Sequence, residues 1–173
     1  VNVPKVTPLA LSSVHVPEVL HASGDWEELA PFGPPYWRPR SEAELQRKIN
    51  ATAGPVPATE YTFVLQVEGG RLVGECSLHG IDWRNGLGQA GICLWNPQDR
   101  RKGFGLTAVD FAQTWAFDHL RLRKLEAWVV DGNTGSLALF ARLGWRQEAT
   151  LRSRYFHAGS HKDVHVLAQY SGR

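Results

Sequence analysis

Apolar positions along the chain change their period several times, and each change marks an element. Tyr61–Val67 and Arg71–Ile81 carry the alternation of half-buried strands, and Glu68-Gly69-Gly70 between them makes a tight hairpin turn. Gln89–Trp95 reads as a third antiparallel strand, reached through a turn centred on Asn85-Gly86 and stopped by Pro97. From Gly105 to His119 the pattern predicts a long helix. Lys124–Val130 is an apolar strand, Asn133–Leu143 a short helix closed by Gly144, and Trp145–Ala149 and Asp163–Tyr170 two last strands. Upstream, Val6–Leu11 is a first strand, and a weak helix around Pro17–Ala22 tolerates its proline in the first turn. Four prolines among aromatic rings make Trp26–Arg40 a loop. Ser41-Glu42-Ala43-Glu44 is a capping box, and Leu45 and Ile49 give the helix it opens an apolar face. Ala53–Thr59 is a connector. The order β-α-α-β-β-β-α-β-α-β-β predicts an α/β fold, a mixed sheet with an antiparallel middle, in a single domain over residues 1–173.

Charge and cysteine content narrow the function. A net charge of +2 gives no bulk field to attract nucleic acid, so the cations at 100–102 suit a small anionic ligand better. Cys76 and Cys93, each in an apolar strand-like stretch, read as buried free thiols, with a disulfide or a nucleophile as the alternatives. No CxxC or HExxH spacing marks a metal site, and no apolar run is long enough to span a membrane. The expectation is a soluble, cytoplasmic protein with neither a metal nor a membrane partner.

The strongest local signal is Arg100-Arg101-Lys102-Gly103-Phe104-Gly105, directly ahead of the long helix. Glycines let a backbone turn sharply beside a ligand, and the free N–H groups of the helix start then face that turn. Such a loop suits a phosphate or pyrophosphate. Gly103-x-Gly105-x-x-Ala108 also fits the dinucleotide fingerprint G-x-G-x-x-A. Its position speaks against that: an antiparallel meander precedes it, charged residues and Pro97 separate strand from glycine, and too little chain follows for a doubly wound sheet. A bare solvated turn is the remaining alternative.

Two motifs resemble the GNAT acetyltransferase family. Pro97-x-x-Arg100-x-x-Gly103-x-Gly105 is similar to its acyl-coenzyme A loop, R/Q-x-x-G-x-G/A, and Asn133-Thr-Gly-Ser136 through Phe140 to Gly144-Trp145 resembles its N-x-x-S/A block. The framing of Gly74, Ile81-Asp82, Asn85 and Gly91, with the tail Leu151-Arg152, Gly159 and Asp163, is similar to the RimJ/RimL-like branch. The resemblance runs from Val6 to Tyr170. It implies a GNAT acyl-CoA N-acyltransferase fold, with splayed central strands and helices on both faces. It implies acetyl-CoA as cofactor, its pantetheine arm along the edge Cys93-Leu94-Trp95 and its pyrophosphate on the amides of Arg101 through Gly105, reaching Leu106 and Thr107. Arg100, Arg101 and Lys102 would attract the phosphates, with Phe104 inside the loop. The family places a pantetheine contact at Asn133, which is equally a helix N-cap. Amides near Leu94–Trp95 would polarise the thioester carbonyl.

Catalytic candidates follow from chemistry. The family often protonates the leaving thiolate with a tyrosine near Phe140, and a phenylalanine has no proton to give. Ser136 is the substitute, with a plain helix-start hydroxyl as the alternative. Alternation puts Glu75, Ser77 and His79 on one face of their strand. Glu75 or His79 would relieve the acceptor amine of a proton, and a structural ion pair or hydrogen bond is the other reading of each. Trp26, Phe32, Tyr36 and Trp37 of the aromatic loop, with Trp83, would wall the acceptor, and Tyr155 and Arg152 would close the far side. The resemblance implies direct attack in a ternary complex, with no acyl-enzyme, on a small-molecule amine. A protein N-terminus is the alternative acceptor, and a non-catalytic acyl-CoA-binding domain the alternative function. The chain is expected to be a monomer or homodimer.

Overall fold

A computed structural model describes residues 5–172, so positions 1–4 and 173 of the expected domain lie outside the described residues. Among the described residues, seven strands form one sheet: β1 (Val6–Ala10), β2 (Tyr61–Val67), β3 (Leu72–Asp82), β4 (Leu87–Leu94), β5 (Lys124–Val130), β6 (Arg146–His157) and β7 (Ser160–Tyr170). Their order across the sheet is β1-β2-β3-β4-β5-β7-β6. All neighbours are antiparallel except β4 and β5. The mixed α/β sheet with an antiparallel middle is therefore present.

The helices are α1 (Val16–Ala22), α2 (Trp26–Leu29), α3 (Glu42–Ala51), α4 (Phe104–Thr114) and α5 (Thr134–Arg142). Strand alternation sorts them onto two faces. On β2, Val64 packs with Val19, Leu29 and Leu45 of α1, α2 and α3, while its neighbour Leu65 packs with Phe104 and Ala108 of α4. On β3, Cys76 shares the α4 side with Leu65. The α4 residues Val109 and Ala112 also meet Leu78, Leu125 and Phe140, closing the core between α4, α5 and the sheet.

Three stretches differ from the sequence expectation. Trp26–Arg40 is not wholly a loop: α2 and a 3₁₀ turn over Ala30–Phe32 occupy its start. Asp25 caps α2 by accepting a bond from the Glu28 amide at 3.2 Å, and Glu27 and Glu28 suit the positive end of a helix. The long helix ends as α4 at Thr114 and continues as a π-helical turn over Trp115–His119. The last two strands are longer than expected and meet at Ala158-Gly159, both with positive φ. β6 is an edge strand with mostly exposed side chains, so it carries little apolar pattern.

Candidate active site

β4 and β5 pair over three positions only, Leu87, Gly88 and Gln89 against Lys124, Leu125 and Glu126. Beyond them β4 continues to Leu94 and β5 to Val130 without pairing, so the two strands splay. The Trp95 amide donates to the Val73 carbonyl at 3.1 Å on the β3 side. Alternation along an antiparallel strand then turns the amides of Ile92 and Leu94 into the gap. That corrects the expectation at Trp95. Its amide is committed to β3, its ring is buried with the α1–α3 core, and Leu94 is the residue with an open edge.

A cavity of about 400 Å³ fills the mouth of the gap, against Leu94, Arg101, Gly103, Gly105 and Leu106 on one side and Asn133, Ser136 and Leu139 on the other. Gly103 caps α4 in the left-handed region, at φ 89°, where a side chain would be strained. The first helical bond runs from the Thr107 amide to the Gly103 carbonyl, leaving the preceding amides of the first turn for a ligand. Unpaired strand amides, a helix start and a glycine cradle on one cavity fit a pantetheine and pyrophosphate group.

The three cations divide. Arg101 is exposed, and among the described residues it has no carboxylate partner. Arg100 is a clasp: it donates to the Leu94 carbonyl and, at 2.7 Å, to Glu28, and its guanidinium lies 4.7 Å from the Phe32 ring. Lys102 turns to Asp99 at 3.8 Å. Arg71 grips the same buried Asp99 at 2.7 and 2.9 Å and holds its carboxyl below the usual range. Phe104 and Thr107 do not line the cavity. Phe104 is buried under the sheet, and the Thr107 hydroxyl donates to the Gly103 carbonyl at 3.3 Å.

A larger cavity of about 830 Å³ adjoins the first. Phe32, Ile92, Cys93, Asn133 and Ser136 line both and mark the junction. Glu75, Ser77 and His79 face the larger cavity together, as alternation predicts. Glu75 Oε1 accepts bonds from the Tyr36 hydroxyl at 2.6 Å and Arg40 at 2.9 Å. Burial alone would raise its pKa, but Arg40, Lys48 and those hydrogen bonds outweigh it and hold the carboxyl below its ordinary value. Arg40 also bonds Glu44 at 3.0 Å. The Glu75 Oε2 atom is buried and, among the described residues, unpartnered. His79 lies 3.1 Å from the Ser77 hydroxyl. Burial, with Lys48 nearby, lowers its pKa against the opposing pull of Glu60 and a Gln89 hydrogen bond, so the ring is neutral at pH 7. Both cysteines are buried free thiols, and burial pushes each up to about 12.

Hydroxyls near the junction are mostly engaged. Tyr155 donates to the Ala30 carbonyl at 2.7 Å, Tyr36 to Glu75, and Phe140 is packed against Trp145 with ring centroids 4.8 Å apart. Asn133 caps α5 by accepting from the Ser136 amide at 3.1 Å. The Ser136 hydroxyl has no partner among the described residues and faces both cavities.

The aromatic wall is smaller than expected. Phe32 and Tyr36 line the larger cavity, whereas Trp26, Trp37 and Trp83 do not. Trp26 is the first residue of α2, Trp37 is 56% exposed, and the Trp83 indole bonds to the Ala58 carbonyl at 3.1 Å. Arg152 points outward to Asp163 at 2.8 Å. The sequence reading did not single out Arg38, Arg40, Trp128 or Arg154. Arg40 meets Glu75 across 35 positions of chain, a separation that no local pattern encodes.

The family model described as an acetyltransferase (GNAT) domain matches residues 7–146. The N-acetyltransferase p20 of Bacillus licheniformis is 27% identical over 133 residues, covering 75% of this chain and 74% of that protein. An N-acetyltransferase 9-like protein of Caenorhabditis elegans is 34% identical over 61 residues, 35% of this chain and 30% of its own length. Among solved structures, the spermidine N-acetyltransferase of Vibrio cholerae in complex with CoA and spermine superposes with a TM-score of 0.81 at 19% identity, covering 96% of this chain and 95% of the other. A dodecameric form of the Vibrio enzyme gives a TM-score of 0.76 at 22% identity, covering 96% and 94%. At those identities the likeness is one of fold.

Proposed function

The chain belongs to the acetyltransferase (GNAT) domain family and is an acyltransferase that uses acetyl-CoA; from that premise we propose that it acetylates the primary amine of a small molecule by direct attack in a ternary complex. The observation that carries the reading is the junction, where the cleft between β4 and β5 opens into a second cavity through five shared residues. A donor in one cavity and an acceptor in the other would meet there. The spermine held by the Vibrio enzyme is in keeping with a small amine. We place the chain in the RimJ/RimL-like branch, in the cytoplasm, as a monomer or homodimer.

Acetyl-CoA supplies the activated acyl group: a C–N bond forms, the C–S bond breaks, one proton leaves nitrogen and CoA departs as the thiol. The residues then have distinct tasks. The amides of Ile92 and Leu94 hold the pantetheine and one of them polarises the acyl carbonyl. The first turn of α4 and Arg101 hold the phosphates. His79, neutral and hydrogen-bonded to Ser77, lines the larger cavity about 13 Å along β3 from Glu75 and takes the acceptor's proton through a relay of water. Glu75, paired with Cys93 at the junction, stays ionised and supplies a fixed negative charge for the amine. Ser136 donates a hydrogen bond to the sulfur as the bond to carbon breaks.

Titration calorimetry with CoA tests the donor half. Arg101→Glu reverses the exposed cation of the cleft and should weaken binding roughly tenfold. Unchanged affinity would refute the cleft assignment. CoA binding with no thiol release from acetyl-CoA across a panel of amines would identify a non-catalytic acyl-CoA-binding domain instead.

A further inference from the structure

The larger cavity is lined by three carboxylates, and each is ion-paired. Glu75 and Glu44 share the buried Arg40, Glu44 also has Lys48 at 3.8 Å, and Glu60 pairs with Arg47. Two further lining cations, Arg38 and Arg154, have no carboxylate partner among the described residues. They enter from separate parts of the chain, Arg38 from the loop before α3 and Arg154 from β6. Each rests instead on an aromatic ring, Arg38 5.5 Å from the centre of Trp37 and Arg154 5.6 Å from that of Trp128. Stacking orients a guanidinium and leaves its N–H fork free.

A polyamine needs the opposite lining, with carboxylates in excess. Here every lining carboxylate is ion-paired, although Glu75 and Glu44 each keep one buried oxygen without a hydrogen bond, and the unspent charge is positive. Planar guanidinium forks match carboxylates in paired hydrogen bonds. We infer that the acceptor is an aminocarboxylate: its amine reaches the junction near Glu75, which pairs with Cys93, and its carboxylate is held by Arg38 and Arg154. The inference rests on the acetyl-transfer reading for the amine end. The carboxylate end rests on the two arginines alone. Transfer on such an acceptor gives the N-acetylated acid and CoA, and the carboxylate is unchanged.

The test compares amines of matched length. A series from glycine to 6-aminohexanoate is offered with acetyl-CoA, each against the diamine of the same chain length and against spermidine. Thiol release should favour the best aminocarboxylate by about tenfold or more in kcat/KM. Arg38→Glu combined with Arg154→Glu should erase that preference, mainly through KM, and leave CoA affinity unchanged. Calorimetry of the best aminocarboxylate on CoA-saturated protein reads the same site without turnover. Preference for spermidine or a diamine, or a preference unaltered in the double variant, overturns the inference. So does absence of aminocarboxylate binding. Binding that is abolished by the double variant, without turnover on any amine, upholds the carboxylate site and overturns the acetyl-transfer reading.

Discussion

At the scale of single residues, the question is which group takes the proton and which supplies one. Glu75 is the weaker base of the two candidates, because Tyr36 and Arg40 occupy Oε1 and hold its carboxyl low. His79 is displaced toward the neutral form by burial. A base must be deprotonated to act, so kcat/KM should stay level down to pH ~6.5, the ordinary histidine value, and fall only below it. His79→Gln should lower kcat, and its deficit should shrink as pH rises and free amine becomes abundant. Glu75→Gln should lower kcat by a factor that does not change with pH. A pH-rate series on the three proteins checks both, and the reverse pattern would exchange the roles. Ser136→Ala should cost a factor on the order of 10–100, the loss of one oriented hydrogen bond to a charged sulfur. Phe140→Tyr offers the family's usual hydroxyl in a buried site against Trp145, and steady-state rates would show whether it replaces Ser136. Wild-type rates in Ser136→Ala would leave the thiolate to solvent. The sequence placed Glu75, Ser77 and His79 on one face because period-two alternation is local. It could not show that Arg40 and Tyr36 silence one oxygen of Glu75, since those partners lie 35 and 39 positions away.

At the scale of elements, the open edge of β4 depends on how closely β3 approaches its end. A Cβ on Gly74 would sit 2.2 Å from the Cys93 carbonyl oxygen and 3.0 Å from the Leu94 Cα. Both are backbone atoms and cannot swing aside. Gly74→Ala would therefore push the strands apart where Trp95 bonds Val73, at a cost of about 1–3 kcal/mol or more. Thermal denaturation with and without CoA checks this: a lowered melting temperature should be accompanied by weaker CoA binding. A melting temperature equal to wild type would show that β4 tolerates the displacement. Most elements were legible because their signals are local: the Ser41 cap of α3, the Asn133 cap of α5, and the hairpin between β2 and β3. α2 was hidden by neighbouring prolines and revealed itself only through Asp25. β6 was hidden because an exposed edge strand has no apolar alternation to read.

At the scale of the whole molecule, the splay of β4 from β5 organises everything else. It exposes strand amides to one cavity and joins that cavity to another, between helices packed on both faces of the sheet. Motif spacing announced this arrangement through resemblance, yet periodicity alone could not, because pairing that stops after three positions leaves no mark on the sequence. Cys93 stands at the junction, on the wall of both cavities, where a thiol could accept an acyl group and pass it on. Burial keeps that thiol protonated, with a pKa of about 12. The protein should accordingly hold no covalent memory of its donor. Radiolabelled CoA incubated with unlabelled acetyl-CoA and protein, without any amine, should acquire no acetyl group, and initial-velocity lines for the two substrates should intersect. Label appearing in acetyl-CoA, or parallel lines, would mean that Cys93 carries the acyl group between two separate half-reactions. A silent thiol at the meeting of two cavities would demand both visitors at once.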